Sequence, residues 1–267
     1  MKLKFFLSVL LLALSLHVLA QVQASLNSQV VGLWKMTSQK GTGIDGSAFT
    51  ADVSKFQQYK MITPTHWMYV SYDADSSRGS GDYGTYTLTG NKYVEALTDN
   101  YKTDFTLKVE GNKLYQDGAI ITPDGKKAMF HEVYEKVSEP ANQNKDIVGV
   151  WYMTSVIETK DGKQVELKDM KEVIILSPAH YMWIHTKANG EFVNSMVGSY
   201  VKEGQKIIPT PIIASFPLGD EKVELTVEVK GDQMMSKGTI TQDGQTEHWT
   251  SVHRNIGKAK LAKAVSN

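Results

Sequence analysis

VGLWKMTS at Val31 to Ser38 returns as VGVWYMTS at Val148 to Ser155, 117 positions further on. An internal period marks a duplicated folding unit, and this one is far longer than the 20 to 50 residues of solenoid or propeller repeats. The correspondence extends beyond the first strand. PTHWM at Pro64 to Met68 is echoed by PAHYM at Pro178 to Met182, and Gly84-Thr85-Tyr86 by Gly198-Ser199-Tyr200. FTLKVEG from Phe105 and ITPDG from Ile121 are echoed by LTVEVKG from Leu225 and ITQDG from Ile240. The reading is two sibling domains, 29–137 and 146–255, joined by an eight-residue linker at 138–145 and followed by a tail at 256–267. So short a linker makes the two domains neighbours in contact.

Alternating apolar and polar positions predict about eight strands in each half. In the first they fall near 30–39, 53–62, 66–73, 82–90, 92–97, 102–110, 113–121 and 127–137. In the second they fall near 147–158, 165–176, 180–186, 194–201, 205–209, 222–230, 233–240 and 245–254. Hairpin turns such as Gly90-Asn91, Gly111-Asn112, Asp124-Gly125 and Gly231-Asp232 link them, because Gly and Asn accept positive φ at little cost. Consecutive hairpins make an antiparallel meander, and eight such strands abolish their open edges by closing into a barrel. The expected fold is all-β: two tandem eight-stranded antiparallel up-and-down barrels. The strand from His66 to Tyr72 is apolar on both faces, so its outer side is expected to be covered by the sister domain.

Ahead of the domains, Lys2 and Lys4 precede an apolar run from Phe5 to Leu16 and small residues at Ala20 and Ala24. This is the pattern of a secretory signal peptide, residues 1–20 with an alternative end at 24, and its apolar core is too short to span a bilayer of roughly 30 Å. The expectation is an exported protein, periplasmic or released, with no transmembrane segment in the mature chain. There is no cysteine, which excludes disulfides, thiolate metal sites and lipidation at an N-terminal Cys. The 29 basic and 29 acidic residues become 27 and 29 once Lys2 and Lys4 are removed, and only Lys258, Lys260 and Lys263 approach a basic cluster. So balanced a surface argues against a nucleic-acid partner.

Gly32 and Trp34, and again Gly149 and Trp151, place a Gly-x-Trp on the first of eight strands, and in this the chain resembles the lipocalin and wider calycin superfamily. GTYTLTGNKYVEAL from Gly84 and FHEVYEKV from Phe130 resemble the lipocalin-like domains of unknown function found in exported bacterial proteins. The resemblance implies a barrel with a capacity for small ligands. It also implies barrel closure by Trp34 and Trp151, each under a basic residue of the last strand: Arg254 in the second domain, with Lys136 near that place in the first.

The candidate binding residues follow from the strand pattern. Glu95 lies between Tyr93 and Leu97 on one face, and Glu132 lies between Phe130 and Tyr134. A carboxylate flanked at i±2 by apolar rings either faces a lumen, where it must be paired, or sits among exposed rings outside. With His66 they would form a polar pocket in barrel 1, joined by Tyr93 and Tyr134. Barrel 2, with Pro209 and Ser251 in their places, would be the more apolar scaffold. His66 and its twin His180 each follow a proline pair-step at a strand start, a place that equally suits a structural bond. Asp73-x-Asp75-x-Ser77 lacks the Gly and Glu of a calcium loop, and no nucleophile elbow, P-loop, dinucleotide turn or zinc pair is present, so neither cofactor nor metal is expected. The leading expectation is a non-catalytic protein that takes a small, largely apolar ligand into a lumen, barrel 1 favoured. The alternatives are an interaction or surface-associated module with filled barrels, using outward Trp67 and Tyr69, and, with less support, an isomerase or hydrolase.

Overall fold

The computed structural model describes residues 26–73, 79–97, 101–139, 144–160, 163–219, 222–242 and 245–257. The expected leader, the C-terminal lysines and most of the Asp73 to Ser77 loop lie outside these residues. After a helical turn at 26–29, all regular structure is strand. The first half comprises β1 (Gly32–Thr42), β2 (Ala48–Thr50), β3 (Phe56–Ile62), β4 (His66–Asp73), β5 (Gly79–Thr89), β6 (Lys92–Glu95), β7 (Lys102–Glu110), β8 (Lys113–Ile121) and β9 (Lys127–Lys136). The second comprises β10 (Gly149–Lys160), β11 (Lys163–Glu166), β12 (Met170–Leu176), β13 (His180–Lys187), β14 (Phe192–Glu203), β15 (Lys206–Ala214), β16 (Lys222–Lys230), β17 (Gln233–Gln242) and β18 (Gln245–Asn255). In each half eight antiparallel strands pair in chain order, and the last returns to the first, β9 to β1 and β18 to β10, closing a barrel. The short β2 and β11 are extra strands that hang on the far ends of β1 and β10. The single strand expected at 165–176 is therefore two, parted at Leu167 to Asp169, where consecutive Lys168 and Asp169 break the apolar alternation.

The repeated phrases are closure devices. The indole Nε1–H of Trp34 donates to the Val30 carbonyl at 2.8 Å, and that of Trp151 to the Ile147 carbonyl at 2.9 Å. Both rings are essentially unexposed. The turn before β4 is pinned by the His66 amide donating to Thr63 Oγ1 at 2.9 Å, and the turn before β13 by the His180 amide donating to Ser177 Oγ at the same distance. The Tyr86 and Tyr200 hydroxyls then cap the Thr63 and Ser177 carbonyls, each at 2.7 Å. Each of these bonds satisfies a polar group that would otherwise be buried alone, which is the physical reason for the residue types that repeat.

One core cluster belongs to both barrels. Leu33, Tyr59, Met61, Met68, Val70 and Tyr72 of the first pack with Val150, Val173, Ile175, Met182, Ile184 and Val197 of the second. These are outward faces of β1, β3, β4, β10, β12, β13 and β14, so the two-faced strand at His66 to Tyr72 is covered by its sister through Met68, Val70 and Tyr72. Trp67 and Tyr69 face the lumen instead; Trp67 has no exposed surface, which removes it from any outer docking face. Close approach at the seam depends on Gly81: a Cβ there would lie 2.9 Å from Ile184 Cδ1 and 2.7 Å from the Tyr69 carbonyl oxygen. Across the seam Ser195 donates its hydroxyl to Tyr72 OH at 2.9 Å.

Candidate functional site

In barrel 1 the period-two alternation of β3, β6, β8 and β9 delivers Gln58, Lys60, Tyr93, Glu95, Gln116, Glu132 and Tyr134 to the lumen. Lys60 Nζ forms an ion pair with Glu95 and donates to Gln116 Oε1 at 2.8 Å. Gln116 Nε2 donates to Glu132 Oε2 at 3.0 Å, Tyr134 OH to the same oxygen at 2.9 Å, and Gln39 Nε2 to Glu132 Oε1 at 2.8 Å. Gln58 Nε2 donates to Tyr134 OH at 3.0 Å. The Lys60 ammonium also lies 5.5 Å from the Trp67 ring centre and 5.4 Å from that of Tyr93. Burial pushes the Glu132 carboxyl up, against the pull of Lys60 and of its bonds from Gln39 and Tyr134. Burial and the neighbouring carboxylates hold the Tyr93 and Tyr134 phenols well above their ordinary range. The Tyr93 hydroxyl faces Glu95 without reaching hydrogen-bonding geometry.

The structure thus brings together Glu95, Glu132, Tyr93 and Tyr134, four of the residues picked from the sequence, and adds Lys60, Gln116, Gln39 and Gln58, which were not. It does not bring His66 to them. His66 shares the outward side of β4 with Met68 and Val70, and its Nδ1 lies 2.9 Å from Thr65 Oγ1. His180 occupies the matching place, with burial holding its imidazole below the usual range and the linker residues Ser138 and Glu139 beside it. Lys136 stands 5.6 Å over the Trp34 ring, in register with it. Arg254 does not do the same for Trp151: the register pairs Trp151 with Asn255, so Arg254 turns outward to Asp232.

Barrel 2 is less polar at the positions of the barrel 1 cluster and carries a polar group of its own elsewhere. Equivalent positions by strand register replace Lys60, Tyr93, Glu95, Gln116 and Glu132 by Ile174, Ile207, Pro209, Ser236 and Ser251. Shorter side chains stand at those places, and Glu172, His185, Asn194 and His253 gather in one layer above Trp151. Glu172 Oε2 accepts from His185 Nε2 at 2.5 Å, and Glu172 Oε1 accepts from His253 Nε2 at 2.6 Å. Burial alone would raise the Glu172 carboxyl, but the two imidazoles override it and hold the group well below the usual carboxylate range. Asn194 is the cross-strand partner of His185 and completes the layer. Asn194 Oδ1 and His253 Nδ1 are buried and have no hydrogen-bond partner among the described residues. Under the layer lie Ile174, Trp183 and Met196, inward residues that are only half buried. Trp183 stacks on His185 at 4.4 Å between ring centres and on Phe216 at 6.1 Å.

A cleft of about 190 Å³, lined by Met153, Ser155, Val156, Leu167 and Met170 among others, opens where β10 parts from β12. Met153 is the cross-strand partner of His253, so the cleft adjoins the Glu172 layer. A second, of about 350 Å³, lies at the foot of barrel 2 beside Asp146, Ile147 and Lys202. Neither is lined by the candidates of barrel 1. Among the described residues no group of three or more His, Asp or Glu is arranged to hold a metal ion, and no helix is long and apolar enough to cross a membrane.

No protein-family model matches the chain, and no curated protein matches its sequence. Solved structures with some likeness include a protein of unknown function of the DUF3598 family from Nostoc punctiforme, 9% identical, covering 85% of this chain and 97% of that one at a TM-score of 0.28. The isotype 1 transferrin binding protein B from serogroup B Neisseria meningitidis is 8% identical and covers 84% of this chain and 76% of its own at a TM-score of 0.27. A porin-like protein from Bacteroides uniformis is 9% identical, covering 85% and 96% at 0.26. Likenesses this remote carry no information about activity.

Proposed function

We propose that this is an exported, non-catalytic binding protein of lipocalin-like, calycin type that takes a small, largely apolar molecule into one barrel lumen, and that the lumen is that of barrel 2. The observation that supports this is the difference between the two interiors. In barrel 1 the long side chains of Lys60, Gln116 and Glu132 fill the lumen and bond to one another, each no more than 6% exposed. In barrel 2 their places are held by Ile174, Ser236 and Ser251, and the inward Ile174, Trp183 and Met196 keep partial exposure. Ligand sites are concave and mainly apolar with a few placed polar groups, which is the composition of this interior. On this reading Glu95, Glu132, Tyr93 and Tyr134 fill barrel 1, while His66 and His180 pin turns.

The test is titration with N-phenyl-1-naphthylamine, whose fluorescence rises in an apolar site. Saturable binding is expected for the wild type and for Tyr134→Phe, and is expected to vanish in Ser251→Phe, which refills barrel 2. Binding unchanged in Ser251→Phe, or absent in the wild type, refutes the reading. One observation favours a surface-docking role instead: β15 and β16 pair through only Lys206 with Thr226 and Ile207 with Leu225, and Ile208, Ile212, Leu218 and Val223 around that gap are exposed. Binding of the probe that is lost in Ile212→Lys but kept in Ser251→Phe selects that reading.

A further inference from the structure

The polar layer of barrel 2 offers one kind of partner. Glu172 is ionised and can only accept hydrogen bonds. Because it accepts from Nε2 of both His185 and His253, each of those nitrogens carries a proton, and only the other ring nitrogen is left for a further partner. For His253 that nitrogen, Nδ1, is buried with no hydrogen-bond partner among the described residues, and the residue is only 2% exposed. The carbonyl oxygen of Asn194, on the same layer across β13, is in the same condition. A buried acceptor left without a donor is costly, so a guest that brings a donor is favoured beyond its apolar contact.

The charge of the layer points the same way. In barrel 1 a buried carboxylate is balanced by Lys60, but the equivalent residue here is Ile174, on the same side of β12 as Glu172 and one inward position away. Neither Lys nor Arg occurs among Met153, Glu172, His185, Asn194 and His253, the inward residues of β10, β12, β13, β14 and β18 at this level. The half-buried Trp183 lies directly beneath, its ring centre 4.4 Å from that of His185 and 6.1 Å from that of Phe216.

From this donor-poor, acceptor-rich layer above an aromatic ring, we infer that barrel 2 selects a flat aromatic or heteroaromatic molecule carrying an amine or ring N–H, and discriminates against the corresponding carboxylic acid. The ring lies against Trp183 and Met196, and its N–H groups meet Glu172 and the Asn194 carbonyl oxygen. An acid on the same ring meets the Glu172 carboxylate, which already engages both imidazoles, and finds no Lys or Arg in the layer to pair with. This inference rests on the proposal that lumen 2 is the binding lumen.

The experiment is isothermal titration calorimetry of the full chain with two probes that share a ring, tryptamine and indole-3-acetate, alongside the naphthylamine titration. Tryptamine is expected to bind at least about tenfold more tightly, the scale set by one unpaired buried polar group. Glu172→Gln is expected to shrink that preference to about twofold or less by removing the charge. Ile174→Lys, which gives barrel 2 the cation that barrel 1 already accommodates at that place, is expected to abolish tryptamine binding, with circular dichroism reporting that the strands persist. Indole-3-acetate binding as tightly as tryptamine overturns the inference. So does the absence of tryptamine binding when the naphthylamine still binds lumen 2, an outcome that leaves the proposed function standing. Failure of the naphthylamine to bind at all sinks both.

Discussion

Replacing Lys60 by Met removes the buried cation paired with Glu95 while leaving Glu95 where it is. Lys60 and Glu95 are 3% and 7% exposed, so the carboxylate has no water to turn to. Its remaining neighbour of use is the Tyr93 hydroxyl, which is out of bonding geometry. Gln116 Oε1 loses its donor in the same step. Breaking a buried pair from one side costs about 3–5 kcal/mol, much more than an exposed pair is worth. Removing both charges is a different matter, because apolar residues of similar volume can replace a buried pair at little cost. Barrel 2 carries out that replacement with Ile174 and Pro209 at the equivalent places. The double variant Lys60→Met with Glu95→Val is therefore expected to lose only about 1–2 kcal/mol, chiefly for the stranded Gln116 oxygen. Urea unfolding followed by tryptophan fluorescence supplies both numbers, and the cycle completed with Glu95→Val alone supplies the coupling. A single variant that loses less than about 1 kcal/mol, or a double variant as unstable as the single one, refutes the claim that the pair is held by mutual need in a dry lumen.

Three further outcomes follow from the same interior and seam geometry. Glu132→Gln should change the pH dependence of stability. Burial raises the folded-state value of this carboxyl, so its contribution is whole below the unfolded value of about 4.3 and is lost as pH rises through the folded one. The wild type should accordingly gain on the variant as pH falls from 7 to 4 in urea titrations, and a difference that does not vary with pH contradicts this. Gly81→Val inserts a branched side chain against Ile184 and the Tyr69 carbonyl, and overpacking of this kind costs about 1–3 kcal/mol. Since the seam cluster contains residues of both barrels, the wild type should melt in one calorimetric transition and the variant in two; an unchanged single transition counts against a shared core. Trp34→Phe and Trp151→Phe should each lose about 1–3 kcal/mol, because the Val30 and Ile147 carbonyls keep their burial and lose their donor. Losses confined to one of the two would show that the closures are not equivalent.

The architecture was legible because every closure device is local or repeated. Trp34 bonds to a residue four positions away, and His66 to one three positions away, so a motif a few residues long carries the whole interaction. The covered outer face of β4 was legible too, since a strand apolar on both sides has to be buried on both. Which face met the sister barrel was not, because alternation separates two faces without naming them. Interior chemistry is harder, for its partners are remote: Lys60 reaches 35 positions to Glu95, and Glu172 reaches 81 positions to His253. Lys60 is hidden between Tyr59 and Met61, which make its strand read as apolar. Glu172 was within reach of the criterion that found Glu95 and Glu132, as it lies between Met170 and Ile174 on one face, and His185 lies two residues from Trp183. The register of the last strand decided the Arg254 question: with the bulge between Met153 and Ser155, the closing tryptophan pairs with Asn255, and a shift of one residue sends a side chain to the other face.

That contrast between repeated and unrepeated positions has a physical basis in the seam. A barrel that buries one outer face against a sister gains apolar burial of order 1.5–3 kcal/mol for each large side chain so enclosed, as Met68, Ile175 and Ile184 are. Stability drawn from outside the lumen relaxes the demand that the interior be tightly filled. The closing tryptophans and the hydroxyl-capped turns cannot drift, because each satisfies a buried backbone group in its own barrel. The residues between them can. One interior holds a cation and two carboxylates in one bonded network; the other has Ile174, Pro209 and Ser251 at those places and carries Glu172 one inward position along β12 from Ile174, beside two imidazoles. Two differently furnished interiors are what duplication permits when the shared seam, rather than either lumen, holds the pair together.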